Sequence, residues 1–132
     1  MRHFIRYQLP ALLWAAIIFG LSSIPGPNLP KLAIIGNDKL AHITVFFVLG
    51  VLIFRAFHRK EELEVFRWKR VFLAVAIVMM YGISDELHQG FVPGRTLDVF
   101  DMLADVIGGL LAAGVLFAHD ARRRRSAMSQ LL

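Results

Sequence analysis

Cysteine does not occur anywhere in the chain, which removes disulfides, thiol nucleophiles and thiolate zinc sites and leaves the redox compartment open. Charge is scarce as well: 19% of the residues are Asp, Glu, Lys or Arg, against roughly 25% in soluble domains. No segment repeats another, and only the run Arg122-Arg123-Arg124-Arg125 is of low complexity. The long apolar segments also lack the wide charged face that a water-exposed helix carries. Together these shortages weigh against a soluble bundle.

What is abundant is apolar. Hydrophobic residues make up 57% of the 132 positions, concentrated in four blocks at about residues 5–24, 40–57, 71–89 and 98–118. Each block approaches the roughly 20 residues that cross a bilayer core. Pro10 sits near the start of the first, where a missing N–H costs little. The expected fold is all-α, an integral membrane four-helix bundle forming a single transmembrane domain over residues 1–120. Residues 121–132 are expected to be a basic cytoplasmic tail, flexible from Arg122. Arg2 and Arg6 ahead of an apolar run also fit a signal peptide. Ser22 and Ser23, closely followed by Pro25, Pro27 and Pro30, make a poor cleavage site, so an uncleaved first helix is expected.

Orientation follows from the basic residues. Arg2 and Arg6, then Arg55, Arg59, Lys60, Arg67, Lys69 and Arg70, then the four arginines of the tail all fall on one side of a four-span layout. Only Lys31, Lys39 and Arg95 fall on the other. Basic residues stay cytoplasmic, so the N- and C-termini are expected to be cytoplasmic. The net charge of +5 then reflects topology and contact with anionic lipid, and no nucleic-acid partner is expected.

The opposite side carries the chemistry. The second helix opens with Asp38, Lys39 and His42, and Asp38 and His42 share a face four residues apart. The third ends in Ser84-Asp85-Glu86-Leu87-His88-Gln89, where Asp85 neighbours both His88 and Gln89 by helical spacing. In the following turn, Pro93-Gly94 ahead of Arg95 suits a type II geometry. The fourth helix places Asp98, Asp101 and Asp105 within an arc of about 60°. Gly109 and Ala112 extend that face as small residues over which a neighbouring helix can pack closely. Asp105 lies roughly 10 Å further along the axis than Asp98, at a depth where a carboxylate must be paired, protonated or wet. These groups fit a polar pocket walled by the second, third and fourth helices and open to the outer surface.

Plainer roles exist for each. Asp38 and Asp98 are placed to cap their helices. His88 and Gln89 suit the membrane interface, Arg95 is available to neutralise Asp98 or Asp101, and Glu86 and Asp105 are available to bond between helices. In this set six acids face two bases (Asp38, Asp85, Glu86, Asp98, Asp101 and Asp105 against Lys39 and Arg95), so pairing alone leaves carboxylates over. The surplus fits cation binding or acid–base chemistry.

The order Asp38-Lys39-x-x-His42, Asp85-Glu86-x-His88-Gln89, Pro93-Gly94-Arg95 and Asp98-x-x-Asp101-x-x-x-Asp105-x-x-Gly108-Gly109 resembles the VanZ-like family. These are small bacterial membrane proteins named for a member linked to resistance to the glycopeptide teicoplanin. The resemblance covers about residues 10–117 and implies four helices of the bacterial plasma (inner) membrane with the motif on the extracytoplasmic face. Many members carry Asn where this chain has Asp105. A kinship with membrane enzymes that exchange or cleave lipid head groups implies phosphate-linked lipids as substrates.

Three functional classes follow. The first is an enzyme acting on phospholipid or polyprenyl-phosphate head groups. His42 or Glu86 would then serve as acid or base, or His42 as nucleophile, with Gln89 orienting a substrate oxygen and Asp101 completing the catalytic set. Arg95, Lys39 or a divalent cation (Mg²⁺, Mn²⁺ or Ca²⁺) would stabilise the phosphate, with Asp38, Lys39, Asp85, His88, Asp98 and Asp105 lining the substrate site. Residues 24–39, with Leu29, Leu32, Ile34 and Ile35, would shape its entrance. The second is a non-catalytic protein that binds a membrane lipid, a cell-wall lipid precursor or a glycopeptide antibiotic. The third is an ion or proton conductor, disfavoured because the inner halves of the spans carry no acidic residue to continue a path.

Overall fold

The computed structural model describes residues 1–28, 38–57 and 64–129. The sequence expectation for residues 29–37, including Leu29, Leu32, Ile34 and Ile35, lies outside them. A π-helical turn, Phe4–Gln8, leads into α1 (Leu9–Ser22), and a short 3₁₀ turn follows at Gly26–Asn28. Then come α2 (Asp38–Ala56), α3 (Glu64–Gln89) and α4 (Val99–Ser129), with no strand among the described residues. Among the described residues four stretches are long and apolar enough to cross a membrane: Phe4–Ser22, Asp38–Ala56, Trp68–Gln89 and Val99–His119. The all-helical, four-span architecture is as expected. Outward side chains on the first, third and fourth spans are large and apolar, with Leu12, Ile17, Phe72, Met80, Leu103 and Leu111 all exposed. Water would penalise such a surface, whereas lipid does not.

Two boundaries differ from the expectation. Helix α3 starts at Glu64 rather than at Val71, where its long apolar block begins, and α4 runs to Ser129 through the basic tail that was expected to be flexible. Hydropathy marks where lipid begins, but Glu, Lys, Arg, Ala and Met are good helix formers on either side of that boundary.

Packing is governed by small residues on α4. A Cβ at Gly108 would lie 2.4 Å from the Ile43 carbonyl oxygen and 2.8 Å from Phe47 N, so α2 rests directly on the α4 backbone. One residue on, a Cβ at Gly109 would meet the Val78 side chain of α3 at 2.7 Å. Around this junction Phe46, Leu49, Ile53, Ala74 and Val78 form the buried core with Ala11 and Ile18 of α1. Two aromatic donors also fasten α1. Trp14 Nε1 donates to the Val45 carbonyl at 3.0 Å, and Tyr81 Oη donates to the Ala15 carbonyl at 2.6 Å.

The crossings bring the C-terminal ends of α1 and α3 together with the N-terminal ends of α2 and α4. At this end, Ser22 reaches Asp85 and Lys39 reaches Asp98. The other end holds the basic and aromatic residues. There the Trp68 and Phe117 rings meet at 5.1 Å, and the Arg55 guanidinium lies 5.9 Å from the Tyr7 ring centroid.

Candidate functional site

The polar end is built from two joined groups of side chains. The first centres on α4. Asp98 caps it through Oδ1, which accepts from Phe100 N at 2.8 Å, the N-cap role open to it from sequence. Its Oδ2 accepts from Lys39 Nζ at 2.6 Å, and the same ammonium donates to Asp101 Oδ1. The Lys39 ammonium and the Phe100 N–H hold the Asp98 carboxyl below the ordinary carboxylate range. One turn deeper, His42 Nδ1 lies 2.9 Å from Asp105 Oδ1, while His42 Nε2 is 3.9 Å from Asp101 Oδ2. A carboxylate can only accept, so Nδ1 carries the proton of that bond, and a neutral ring then presents its lone pair at Nε2.

Glu86 joins this group from α3. Its Oε2 accepts from the Asp98 backbone N–H at 3.0 Å. Glu86 and Asp105 are both completely buried, and each has one oxygen, Glu86 Oε1 and Asp105 Oδ2, without a hydrogen-bond partner among the described residues. Gly82 explains how Asp105 fits against α3: a Cβ there would sit 3.0 Å from Asp105 Oδ2. Gly82 lies one helical turn from Glu86 on the same face, so that oxygen faces α3 beside Glu86.

The second group links α1, α3 and the turn after α3. Asp85 Oδ2 accepts from Ser22 Oγ at 2.8 Å and from Gln89 Nε2 at 2.9 Å. Gln89 Oε1 in turn accepts from Arg95 Nη1 at 2.9 Å, and Arg95 Nη2 donates to the Leu21 carbonyl at 3.2 Å. The final carbonyls of α1 have no helical partner, and a guanidinium suits both their lone pairs and their partial charge. Arg95 is aimed by the expected type II turn. Its N–H donates to the Val92 carbonyl at 3.1 Å, and Gly94 takes φ +74°. The Pro93 carbonyl also accepts from Gly26 N at 3.1 Å, tying the chain after α1 to this turn.

The structure therefore brings Lys39, His42, Glu86, Asp98, Asp101 and Asp105 into one cluster, with Asp85, Gln89 and Arg95 in the adjoining one. Asp38 is exposed at its edge, with ligand atoms of Asp38, His42 and Asp101 within 4.8 Å of one another. His88 stands apart, 3.0 Å from Ser23 Oγ and stacked on Phe19 at 4.6 Å. One partnership differs from that open to the sequence. Lys39, not Arg95, neutralises Asp98 and Asp101, because α2 packs against α4 while Arg95 turns back to α1. Glu86 and Asp105 do bond between helices, as was open to them, Glu86 to the Asp98 N–H and Asp105 to His42. Sequence reasoning missed Ser22 and Gly82. Ser22 was readable only as the one buried hydroxyl in the last turn of an apolar helix, at the depth of Asp85.

Residues 4–119 match the family model described as VanZ/LLP1. An uncharacterized protein of Schizosaccharomyces pombe is 30% identical over 95 residues, which are 71% of this chain and 55% of that one. The chain thus spans about half the length of the curated relative it matches. No solved structure matches it significantly.

Proposed function

The chain belongs to the VanZ/LLP1 family, and on that premise we propose that it acts on the phosphate-linked head group of a membrane lipid, a phospholipid or a polyprenyl-phosphate lipid. The observation that carries the reading is the His42–Asp105 bond of 2.9 Å, set beside buried Glu86 at one end of four membrane-length helices. Asp105 fixes the ring and leaves Nε2 directed away from it, the arrangement a general base requires. The position along the spans also matches the substrate. Lys39 and Asp98 stand at the ends of their spans and Asp105 about two turns deeper, roughly 10 Å along the helix axis, the range in which a head group meets its acyl chains.

In the reaction, His42 Nε2 takes the proton of the attacking water or alcohol as its oxygen bonds to phosphorus. The bond from phosphorus to the departing head-group oxygen breaks, and that oxygen receives a proton from Glu86 acting as acid. Asp101 and Asp98 hold the Lys39 ammonium beside the reacting phosphate. Arg95, Gln89 and Asp85 act as positioning residues that clamp the ends of α1 and α3. The basic residues at the opposite end support a cytoplasmic location for that end, and with it an extracytoplasmic position of the cluster in the plasma membrane.

A second reading is favoured by the acid surplus. Lys39 is already bonded to two carboxylates, so the cluster also suits non-catalytic retention of a ligand bearing an amine or other donors, in a cell-wall precursor, a glycopeptide antibiotic or a lipid. A relative in Schizosaccharomyces pombe favours a ligand not confined to the bacterial cell wall, which supports membrane lipid. Lipid mass spectrometry after reconstitution with phospholipids and polyprenyl-phosphate lipids separates the readings. The enzyme reading expects a new head-group species that disappears with His42→Ala and Glu86→Gln. An unchanged lipid pool with one species co-purifying stoichiometrically would replace it with the binding reading.

A further inference from the structure

We propose that His42, Glu86 and Asp105 together hold one divalent first-row transition-metal ion where α2, α3 and α4 meet. The inference goes beyond the lipid reading and does not depend on it; with the ion bound, His42 and Glu86 serve as its ligands in place of the base and acid roles given them there.

The donor set comes first. One ligand atom from each of the three residues lies within 4.8 Å of the other two, and the closest measured pair, His42 Nδ1 and Asp105 Oδ1, is 2.9 Å apart. Bonds of about 2.1 Å to a small divalent ion place adjacent octahedral donors roughly 3 Å apart and opposite ones roughly 4.2 Å apart. The measured pair is at the short end of that range and the other separations are bounded at 4.8 Å, so the three side chains converge on one ion with modest adjustment. The ion takes the place of the Nδ1 proton, which is released on binding.

The second observation is independent of spacing. Glu86 Oε1 and Asp105 Oδ2 are buried oxygens with no hydrogen-bond partner among the described residues, and both carboxylates are fully shielded from solvent. Native structures leave few buried polar atoms unpaired. Asp105 Oδ2 is turned onto α3 over Gly82, toward the helix that carries Glu86. With His42 neutral, two ionised carboxylates leave two negative charges inside the bundle, and a divalent cation cancels them where no Lys or Arg among the described residues pairs with either. Lys39, the nearest cation on α2, is engaged by Asp98 and Asp101 instead.

A neighbouring set, Asp38, His42 and Asp101, has comparable spacing. It lacks the second observation, because Asp38 is exposed and Asp101 is already bonded to Lys39. The mixture of one imidazole with two carboxylates selects the ion class. Imidazole suits zinc, iron and their neighbours, carboxylate suits manganese, and neither Mg²⁺ nor Ca²⁺ favours a nitrogen donor.

The test uses the purified full-length chain in detergent micelles without added lipid, stripped with a chelator and titrated with Mn²⁺. Electron paramagnetic resonance should report loss of the free-ion signal at about one ion per chain, with a nitrogen coupling that His42→Ala removes. Glu86→Gln and Asp105→Asn should each weaken Mn²⁺ binding roughly tenfold or more, a loss of one ligand interaction or greater. For the unaltered chain, Mn²⁺ should raise the unfolding temperature, a readout that needs no variant to fold. A free-ion signal undiminished by the protein, or an unfolding temperature indifferent to Mn²⁺, overturns the site. So does an affinity unchanged in Glu86→Gln and Asp105→Asn. Because no lipid turnover is read, failure here leaves the head-group reading to its own experiment.

Discussion

Adding one methyl group at Gly108 should damage both the stability and the site of this protein. In an ordinary helix, alanine in place of glycine gains about 1 kcal/mol. At Gly108 the new carbon would start 2.4 Å from the Ile43 carbonyl oxygen and 2.8 Å from Phe47 N. Both are backbone atoms, so no side chain can rotate aside. Carbon and carbonyl oxygen settle at about 3.3 Å, which requires α2 and α4 to part by roughly 0.9 Å. Overpacking of this kind costs about 1–3 kcal/mol. The same separation, applied to the 2.9 Å His42–Asp105 contact, carries it beyond hydrogen-bond range. An interhelical bond in a membrane is worth about 0.6–1.7 kcal/mol, so the expected net loss is roughly 2 kcal/mol. Gly20→Ala and Gly114→Ala serve as controls, because a Cβ at either position meets nothing within 4 Å. Reversible unfolding in bicelles should show Gly108→Ala destabilised and both controls unchanged or slightly stabilised. If Gly108→Ala proves as stable as the controls, the direct backbone contact between α2 and α4 is wrong.

Replacing Lys39 with Met should raise the Asp98 carboxyl toward its ordinary value, since the ammonium is the largest cause of its depression. The sign is that of a depressed carboxylate: its contribution to stability is present above the ordinary value of 3.8 and is lost as pH falls through the depressed one. A carboxyl-carbon nuclear magnetic resonance titration of both forms reads this directly, and identical midpoints would refute the pairing. Tyr81→Phe removes the donor to the Ala15 carbonyl and should cost about 0.6–1.7 kcal/mol, seen as a lower unfolding midpoint in the same bicelles. Gly94→Ala places a side chain at φ +74° and 2.8 Å from Pro27 Cδ, which should cost about 1–3 kcal/mol. Its unfolding midpoint should fall, and an unchanged midpoint would contradict the turn.

Much of this architecture was legible because lipid imposes a one-dimensional signal. A span must be apolar for its whole length, so Phe4–Ser22 and Val99–His119 stand out without knowledge of their neighbours. The local features were equally accessible. Asp98 caps the residues directly after it, Asp85 and Gln89 meet one turn apart, and Pro93-Gly94 sets its own turn. What did not follow was the allocation of partners between helices. Lys39 and Arg95 carry the same charge on the same side, and only the seating of α2 on Gly108 assigns Lys39 to Asp98 and Asp101. Ser22 was missed for a similar reason. A serine in an apolar helix bears no signal until the face opposite it is known to carry Asp85. Helix ends beyond the lipid boundary, such as Glu64, were obscured because charged residues break hydropathy without breaking helices.

The burial of Asp105 also bears on how the chain is made. Helix α4 emerges after α1, α2 and α3, carrying a carboxylate whose exposure to lipid during translocon insertion costs at most about 2.5–3.5 kcal/mol, the figure for mid-span. Its span is also the most hydropathic of the four, with a mean of 1.9, so leucines and valines can drive entry before the aspartate is compensated. By then α2 has already been synthesised, with His42 available to meet Asp105. Insertion and assembly are thus assigned to different residues of one helix: the apolar face commits α4 to the bilayer, and the stranded carboxylate selects α2 as its neighbour.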